Sequence, residues 1–204
     1  VSFAAYHSAY ADLCFCPLCE PERVLWRAGE KYALPIGWFG FGIRIRDDFQ
    51  RRRSEIENWH VAYHGTGQAA VESILREQRI MFPGDILQDG TVLPIGRGRG
   101  RGQCGAEKLR LPGEKKNPQV IYVSPTINYA SAPVYAVPFL VGRRKVQAVL
   151  QCRVKPGSYI RFPDTLPTYT PTGGWDPEFG DSVVEWIVRD KEAVVPYRLL
   201  LRWT

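Results

Sequence analysis

The chain has 204 residues, of which 45% are hydrophobic, 12% aromatic and 24% charged, and its 27 basic residues exceed its 21 acidic residues by 6. This composition is typical of a folded, soluble protein, and the length predicts one main domain with an appended module. No stretch approaches the ~18 consecutive apolar residues of a membrane-spanning helix, which excludes membrane-embedded classes of protein.

The start of the chain lacks the features of a targeting signal. It opens on Val1 rather than Met, with neither a basic start nor an apolar run of signal-peptide type. We therefore expect a C-terminal piece of a longer protein, with any targeting signal outside this piece. The five cysteines show no regular disulfide spacing, and this favours a reducing, intracellular compartment, either the cytoplasm or the nucleus.

Residues 1–56 are predicted to form a small Cys-containing module and linker, which ends in a charged stretch. Four soft metal ligands lie within thirteen residues of this module: His7, Cys14, Cys16 and Cys19. A structural zinc site needs four such ligands in a tetrahedral array, so the cluster predicts one bound zinc ion. The C-x-C-x2-C spacing is less regular than that of paired C-x2-C knuckles. Free buried thiols therefore stay an alternative, and Cys104 and Cys152 compete with His7 as the fourth ligand.

Residues 57–204 are predicted to form the main domain. Hydrophobic patterning predicts, in chain order, a strand at 59–64, a helix at 68–78, a buried strand at 119–124 and a helical or irregular segment at 126–137. In the helix, Ala70, Ile74 and Leu75 are expected on one side. Three more strands are predicted at 146–154, 182–188 and 197–203, so strands dominate the second half.

Two long loops are predicted, at residues 83–118 and 163–180, because Gly and Pro interrupt both stretches. The first loop contains the segment RGRGRG, and its residues 97–116 carry seven basic and two acidic side chains. A local basic excess of this kind can attract phosphates or nucleic acid. The alternative is a solvated loop without a partner.

Three short motifs carry the candidate chemistry. The segment YHGT at residues 63–66 lies where a strand runs into a helix; its Gly65 lets a ligand approach the backbone, and the following N–H groups begin the helix. Tyr122 lies in the buried strand IYV. Glu185 interrupts an apolar run at 183–188, where a charge is costly unless it is paired or faces a cleft.

In order and approximate spacing, these motifs resemble the ADP-ribosyltransferase superfamily. The resemblance is to the His-Tyr-Glu branch, which includes diphtheria-toxin-like transferases and the poly(ADP-ribose) polymerases. Its motifs read H-G-[ST], then a strand ending in I-Y, then a Glu on a late strand, and His64, Tyr122 and Glu185 take these places. The whole chain is also similar to the C-terminal region of neuralized-like adaptor proteins, through the segments CFCPLC, YALPIGW and WHVAYHGT.

The resemblance implies an α+β fold with a split, mostly antiparallel sheet and flanking helices at residues 57–204. It implies NAD as co-substrate, with His64 on the adenosine ribose and Tyr122 stacked on the nicotinamide ring. Thr126 would bind the nicotinamide amide, and the second stacking residue is open between Tyr129 and Tyr135. The implied NAD-binding set is His64, Gly65, Thr66, Tyr122, Thr126, Tyr129 and Tyr135.

The expected function is NAD-dependent ADP-ribosyl transfer to a protein or nucleic acid, with release of nicotinamide. We expect mono-transfer, because a polymerase must also hold an acceptor chain and the sequence offers no residues for that role. Three alternatives stay open: an inactive interaction module with this fold, an NAD glycohydrolase with water as the acceptor, and nucleic-acid binding through the basic stretch.

Overall fold

The structure is a computed structural model that describes residues 3–8, 12–82, 84–93, 119–166 and 171–204. The basic stretch at 97–116, Cys104 and residues 167–170 of the second predicted loop lie outside the described residues, so the expectations placed on them stay predictions. Of the helices that the structure describes, none is long and apolar enough to cross a membrane.

The described chain contains short helices and eleven strands. The α-helices are α1 (Asp47–Arg51), α2 (Arg53–Ile56), α3 (Gln68–Glu77) and α4 (Ile127–Ala130), and single 3₁₀ turns lie at Phe3–Ala5 and Lys191–Ala193. The strands are β1 (Leu13–Cys14), β2 (Val24–Arg27), β3 (Glu30–Ala33), β4 (Phe39–Gly42), β5 (His60–Thr66), β6 (Ile121–Val123), β7 (Phe139–Val141), β8 (Arg144–Val154), β9 (Tyr159–Phe162), β10 (Glu185–Val188) and β11 (Val194–Trp203).

The strands form three sheets, and the paired strands within each sheet are antiparallel. A six-stranded sheet has the order β1-β4-β11-β8-β5, with β7 also paired to β8. A three-stranded sheet has the order β6-β10-β9, and β2 pairs with β3 as a hairpin. The predicted mixture of helices and mostly antiparallel sheet is confirmed at this level. The more specific ADP-ribosyltransferase-like arrangement stays a prediction.

Strand β8 lies at the centre of the core. Its residues 146–152 are all buried, because both faces of the sheet are covered there. Leu150 on one face packs into a cluster with the apolar side of α3, and Val149 on the other packs into a cluster with Trp38 and Phe15. Because both faces are covered, the polar residues Gln147 and Gln151 of this strand are buried together with its apolar residues.

Helix α3 follows β5 directly and covers one face of the large sheet. It begins after Gly67, which has extended dihedral angles, and ends at Gln78, which has left-handed dihedral angles. The buried apolar side chains are Val71, Ile74 and Leu75, spaced as one face of an α-helix. The expectation of Ala70 on this face is wrong, since Ala70 is exposed and lies one position before the buried stripe.

The N-terminal strands extend the same sheet as the C-terminal strand. Strand β4 pairs with β11, with Gly40 opposite Leu200, and β1 pairs in turn with β4. Strand β1, which contains Cys14, is thus connected through β4 to the strand that closes the main domain. Strands from both sides of the boundary predicted between residues 56 and 57 share one sheet, and the boundary itself stays a prediction.

Gly65 lies against helix α4 with no space for a side chain. A Cβ atom built on Gly65 would lie 2.0 Å from the carbonyl oxygen of Ala130 and 2.8 Å from Cβ of Tyr135. We expected a ligand to approach the backbone at Gly65, but on this side the space is filled by the protein itself. Close packing of β5 on α4 requires glycine here.

We predict that Gly65→Ala destabilises the fold by about 1–3 kcal/mol, because the added methyl group overpacks a contact with backbone. The measurement is the free energy of unfolding from urea denaturation. Gly67→Ser is the matched control, since a Cβ atom at Gly67 meets nothing within 4 Å and Ser is a favoured N-cap residue. Equal stability of Gly65→Ala and the wild type would contradict the packing argument.

Candidate functional site

The three residues predicted to be catalytic line one cavity. This cavity has a volume of about 120 Å³ and lies between β5, β6, α4 and the start of β10. The residues from the predicted set that line it are His64, Gly65, Tyr122, Tyr129, Tyr135 and Glu185. Residues separated by more than a hundred positions in the sequence are thus brought together, and we call this the Glu185 cavity.

Two sheets meet at the Glu185 cavity through a short bridge. The N–H of Tyr63 donates to the carbonyl of Ser124 at 2.8 Å, and the N–H of Ser124 donates to the carbonyl of Tyr63 at 2.9 Å. This pair joins β5 of the six-stranded sheet to the end of β6 in the three-stranded sheet. Strand β10 pairs with β6, with Ile187 opposite Tyr122, which places Glu185 near the same edge.

The imidazole of His64 is held in one orientation. Its Nδ1 lies 2.9 Å from the backbone carbonyl of Tyr122, and since a carbonyl only accepts, Nδ1 must carry the proton. In the neutral ring, Nε2 is then the acceptor. Burial lowers the pKa of His64, and the hydrogen bond to Tyr122 opposes this shift in part. The ring is therefore neutral at pH 7, with Nε2 able to accept a hydrogen bond from a ligand hydroxyl.

The carboxylate of Glu185 is buried, with 1% of the residue exposed. Its Oε2 accepts hydrogen bonds from the hydroxyls of Tyr129 at 2.8 Å, Thr165 at 2.9 Å and Tyr135 at 3.4 Å. Its Oε1 is buried and has no hydrogen-bond partner within the described part of the chain. Burial raises the pKa of Glu185, and the three hydroxyls oppose the shift.

An unpaired buried carboxylate oxygen is costly and needs an explanation. Glu185 begins β10 and lines the cavity, and its buried Oε1 retains a hydrogen-bonding capacity that a hydroxyl donor or a positive charge reaching the carboxylate would satisfy. The hydroxyls on Oε2 fix the orientation of the carboxylate before any ligand arrives. Such preorganisation is what electrostatic stabilisation of a developing charge requires.

Tyr129 and Tyr135, the two candidates for the second stacking residue, both line the cavity. Their hydroxyls lie 3.1 Å apart, and burial raises the pKa of each, that of Tyr135 to about 12. The ring of Tyr129 is 2% exposed and packs edge-on against Trp175. Tyr135 is only half-buried, so its ring is the more accessible of the two to an incoming ligand.

Two residues of the predicted NAD-binding set do not line the cavity. Thr126 is fully buried; its hydroxyl donates to Asp176 at 2.8 Å and accepts from the N–H of Asn128 as the N-cap of α4. This hydroxyl is thus used within the protein. Thr66 is also buried, with its hydroxyl beside the carbonyl of Gly67 at 3.5 Å. The geometry therefore does not support Thr126 as the residue that binds the nicotinamide amide, or Thr66 as a residue that binds NAD.

Thr165 is a site residue that the sequence analysis missed. It lies in the predicted loop at 163–180, where nothing in the pattern marks a functional side chain. Its hydroxyl donates to Glu185, and its N–H lies 3.3 Å from the hydroxyl of Tyr129. A loop residue that contacts the buried carboxylate is recognisable only once the chain is folded.

The cysteines of the N-terminal segment are brought together, whereas His7 is not. The ligand atoms of Cys14, Cys16 and Cys19 lie within 4.8 Å of one another. A backbone N–H from Cys19 is the main cause that lowers the pKa of Cys16 to about 7, which favours the thiolate form that binds metal. His7 instead pairs with Asp12, at 2.9 Å from its Nε2. The choice of His7 as the fourth ligand is corrected accordingly.

Among the described residues, the other candidate for a fourth metal ligand, Cys152, does not join this group. Cys152 is fully buried in β8, where burial raises the pKa of its thiol, and Cys104 lies outside the described residues. Three sulfur ligands fit the donor set of a structural zinc site, which needs one more ligand. The structure thus contains a Cys group that could hold a metal ion.

No known protein-family model matches the chain. The resemblance to ADP-ribosyltransferases therefore stays a hypothesis that rests on the ordered motifs, and the similarity to neuralized-like adaptor proteins stays a hypothesis as well.

We predict that the purified protein contains about one zinc ion per chain, with sulfur ligands at ~2.3 Å, and that chelation loosens the N-terminal segment. Elemental analysis measures the zinc content, and X-ray absorption at the zinc edge measures the distance to the sulfur ligands. Cys14→Ser should lose the metal, whereas Cys152→Ser, with its thiol buried in β8, is the control that should keep it. A metal-free protein whose stability chelation leaves unchanged would exclude zinc.

The raised pKa of Glu185 predicts a specific pH dependence of stability. Since the folded state holds the proton of Glu185 more tightly than the unfolded state, the contribution of this group to stability is greatest below its ordinary pKa of 4.5 and is lost as pH rises through the raised value. Glu185→Gln removes this titration and should raise the melting temperature at pH 7 relative to the wild type. Thermal unfolding between pH 4 and 8 measures it, and a lower melting temperature of the variant at pH 7 would show a structural role.

Proposed function

We propose that this protein transfers ADP-ribose from NAD to an acceptor and releases nicotinamide. One observation carries the proposal: a buried glutamate, Glu185, has an unpaired oxygen in a cavity that also contains His64 and Tyr122. These residues match the ordered His-Tyr-Glu motif of the family that the sequence resembles. The acceptor is a protein or a nucleic acid, and mono-transfer is preferred because no acceptor-chain site is apparent in the sequence.

The chemistry requires stabilisation of positive charge. Breaking the bond between nicotinamide and ribose leaves both bonding electrons with nicotinamide and builds oxocarbenium-like charge on the ribose. In the proposal, Oε1 of Glu185 accepts a hydrogen bond from a ribose hydroxyl and stabilises this charge. The acceptor then attacks the ribose carbon from which nicotinamide has left, and it releases its proton to water. An anionic oxygen held in a low-dielectric cavity is effective in this role because it needs no reorganisation during the reaction.

The other residues of the cavity would position NAD. The Nε2 of neutral His64 is an acceptor for a hydroxyl of the adenosine ribose, and the rings of Tyr122 and Tyr135 are candidates to stack on nicotinamide. The cavity volume of about 120 Å³ is close to the ~150 Å³ that encloses a benzene-sized ligand. It therefore fits a single ring, so only the nicotinamide end of NAD would be enclosed.

We predict that Glu185→Gln lowers turnover about 10²-fold or more and changes NAD affinity far less, because the carboxylate acts mainly in the transition state. The measurement is release of nicotinamide from labelled NAD, with and without protein and DNA acceptors. Glu72→Gln, on the exposed side of α3, is the matched control and should react at the wild-type rate. Wild-type turnover by Glu185→Gln would refute the assignment of the triad.

We further predict that His64→Ala and Tyr122→Ala weaken NAD binding, because both side chains would contact the ground state. Calorimetric titration of NAD into each variant measures this change. NAD binding without nicotinamide release by the wild type would identify an inactive binding module. Nicotinamide release without labelled acceptor would identify an NAD glycohydrolase. If the wild type shows neither NAD binding nor release, the proposed function is wrong.

A further inference from the structure

A second cavity lies away from the Glu185 cavity and shares no lining residue with it. Its volume is about 700 Å³, and its walls are the segment 43–47, helices α1 and α2, and the strands β8 and β11. Four arginines line it: Arg44, Arg53, Arg153 and Arg198. We call it the arginine cavity.

Two of these arginines converge on one aromatic ring. The guanidinium carbon of Arg153 lies 4.7 Å from the ring centroid of Tyr197, and that of Arg198 lies 5.2 Å from it. The register between β8 and β11 shifts between Pro196 and Arg198, so Tyr197 falls at an irregularity of the strand. This irregularity brings two cations from neighbouring strands to one wall of the cavity.

Arg153 has a polar atom that the protein leaves unsatisfied. Its Nη1 is buried and has no hydrogen-bond partner among the residues that the structure describes. A buried charged donor without an acceptor is unfavourable, and the contact with Tyr197 recovers only part of the loss. An anion that reaches this guanidinium from the cavity would supply the missing acceptor.

The charge of the lining residues indicates the charge of the ligand. Two carboxylates, Asp47 and Glu57, line the cavity together with the four arginines, and Glu57 is already paired with Arg53 at 2.7 Å. The lining therefore carries an excess of two positive charges. A phosphate group carries about −1.5 to −2 at pH 7, and the planar guanidinium binds phosphate oxygens through two parallel hydrogen bonds.

The remaining walls favour an organic molecule over a free ion. Ile43, Ile56 and Val195 give the cavity apolar surface, and its volume lies within the ~300–1,000 Å³ of small-molecule sites. We propose that the arginine cavity binds a phosphate-bearing small molecule of about the size of a nucleotide. Nη1 of Arg153 donates to the phosphate, Arg44 contributes from the exposed rim, and the aliphatic side chains contact the organic part.

Inorganic pyrophosphate, ADP and adenosine are the probes for calorimetric titration of the full chain. We expect pyrophosphate and ADP to bind and adenosine to bind at least about 10-fold more weakly, because it lacks the phosphates. Arg153→Gln should weaken pyrophosphate binding about 10-fold or more. Arg44→Gln changes an exposed side chain, so it should fold normally and still weaken binding. Arg143→Gln, in the exposed turn between β7 and β8, is the matched control with unchanged affinity.

Further variants separate this site from other phosphate sites. His64→Ala and Glu185→Gln should bind pyrophosphate as the wild type does, so the result does not depend on the proposed NAD chemistry. A triple Gln variant of Arg97, Arg99 and Arg101 should also retain binding. The inference is overturned if the wild type binds neither phosphate probe. It is also overturned if Arg153→Gln and Arg44→Gln both keep wild-type affinity.

Discussion

The pair of backbone hydrogen bonds between Tyr63 and Ser124 is the interaction on which the candidate site depends. It joins the backbones of the six-stranded and the three-stranded sheet, which are also linked by side-chain contacts of His64 with Tyr122 and of His60 with Tyr159. On one side of the bridge lies His64, and the carbonyl of Tyr122 that orients its ring lies on the other. Because β10 pairs with β6, the same bridge also positions Glu185. Loss of this contact would remove the backbone hydrogen bonds that hold β5 beside the end of β6.

The burial of Glu185 lowers the stability of the fold but keeps a carboxylate in the cavity for a ligand or a reaction. A carboxylate with one oxygen unpaired lowers the stability of the folded state at neutral pH, as the raised pKa indicates. Proteins retain such groups mainly where a ligand or a reaction uses them. Tyr129 and Thr165 limit the cost by donating to the other oxygen, and they come from two different segments of the chain. The orientation of the carboxylate therefore depends on α4 and on the loop before β10 together.

Much of the strand pattern could be predicted from the sequence, because β-branched and apolar runs mark strands that are buried on both faces. The predicted strand at 59–64 corresponds to β5, and the predicted strand at 182–188 contains β10, which begins only at Glu185. His64, Tyr122 and Glu185 come together because strands from distant segments pair, and local sequence patterns do not specify which strands pair. For the same reason Thr165 was missed, and the hydroxyl of Thr126 was assigned to a ligand although it caps α4. His7 was included by proximity in sequence, yet its imidazole has a carboxylate partner in Asp12.

The close contact between Gly65 and the carbonyl of Ala130 also bears on how related sequences should be interpreted. A glycine that the packing of β5 on α4 requires will persist through evolution whether or not the domain retains any activity. The neighbouring histidine is held by a backbone carbonyl, so it too has a structural reason to persist. A search that uses the His-Gly pair as a marker would therefore collect active and inactive descendants alike. The raised pKa of Glu185, at the start of β10, indicates a cost to stability at neutral pH, so its substitution would stabilise a domain that does not use the carboxylate.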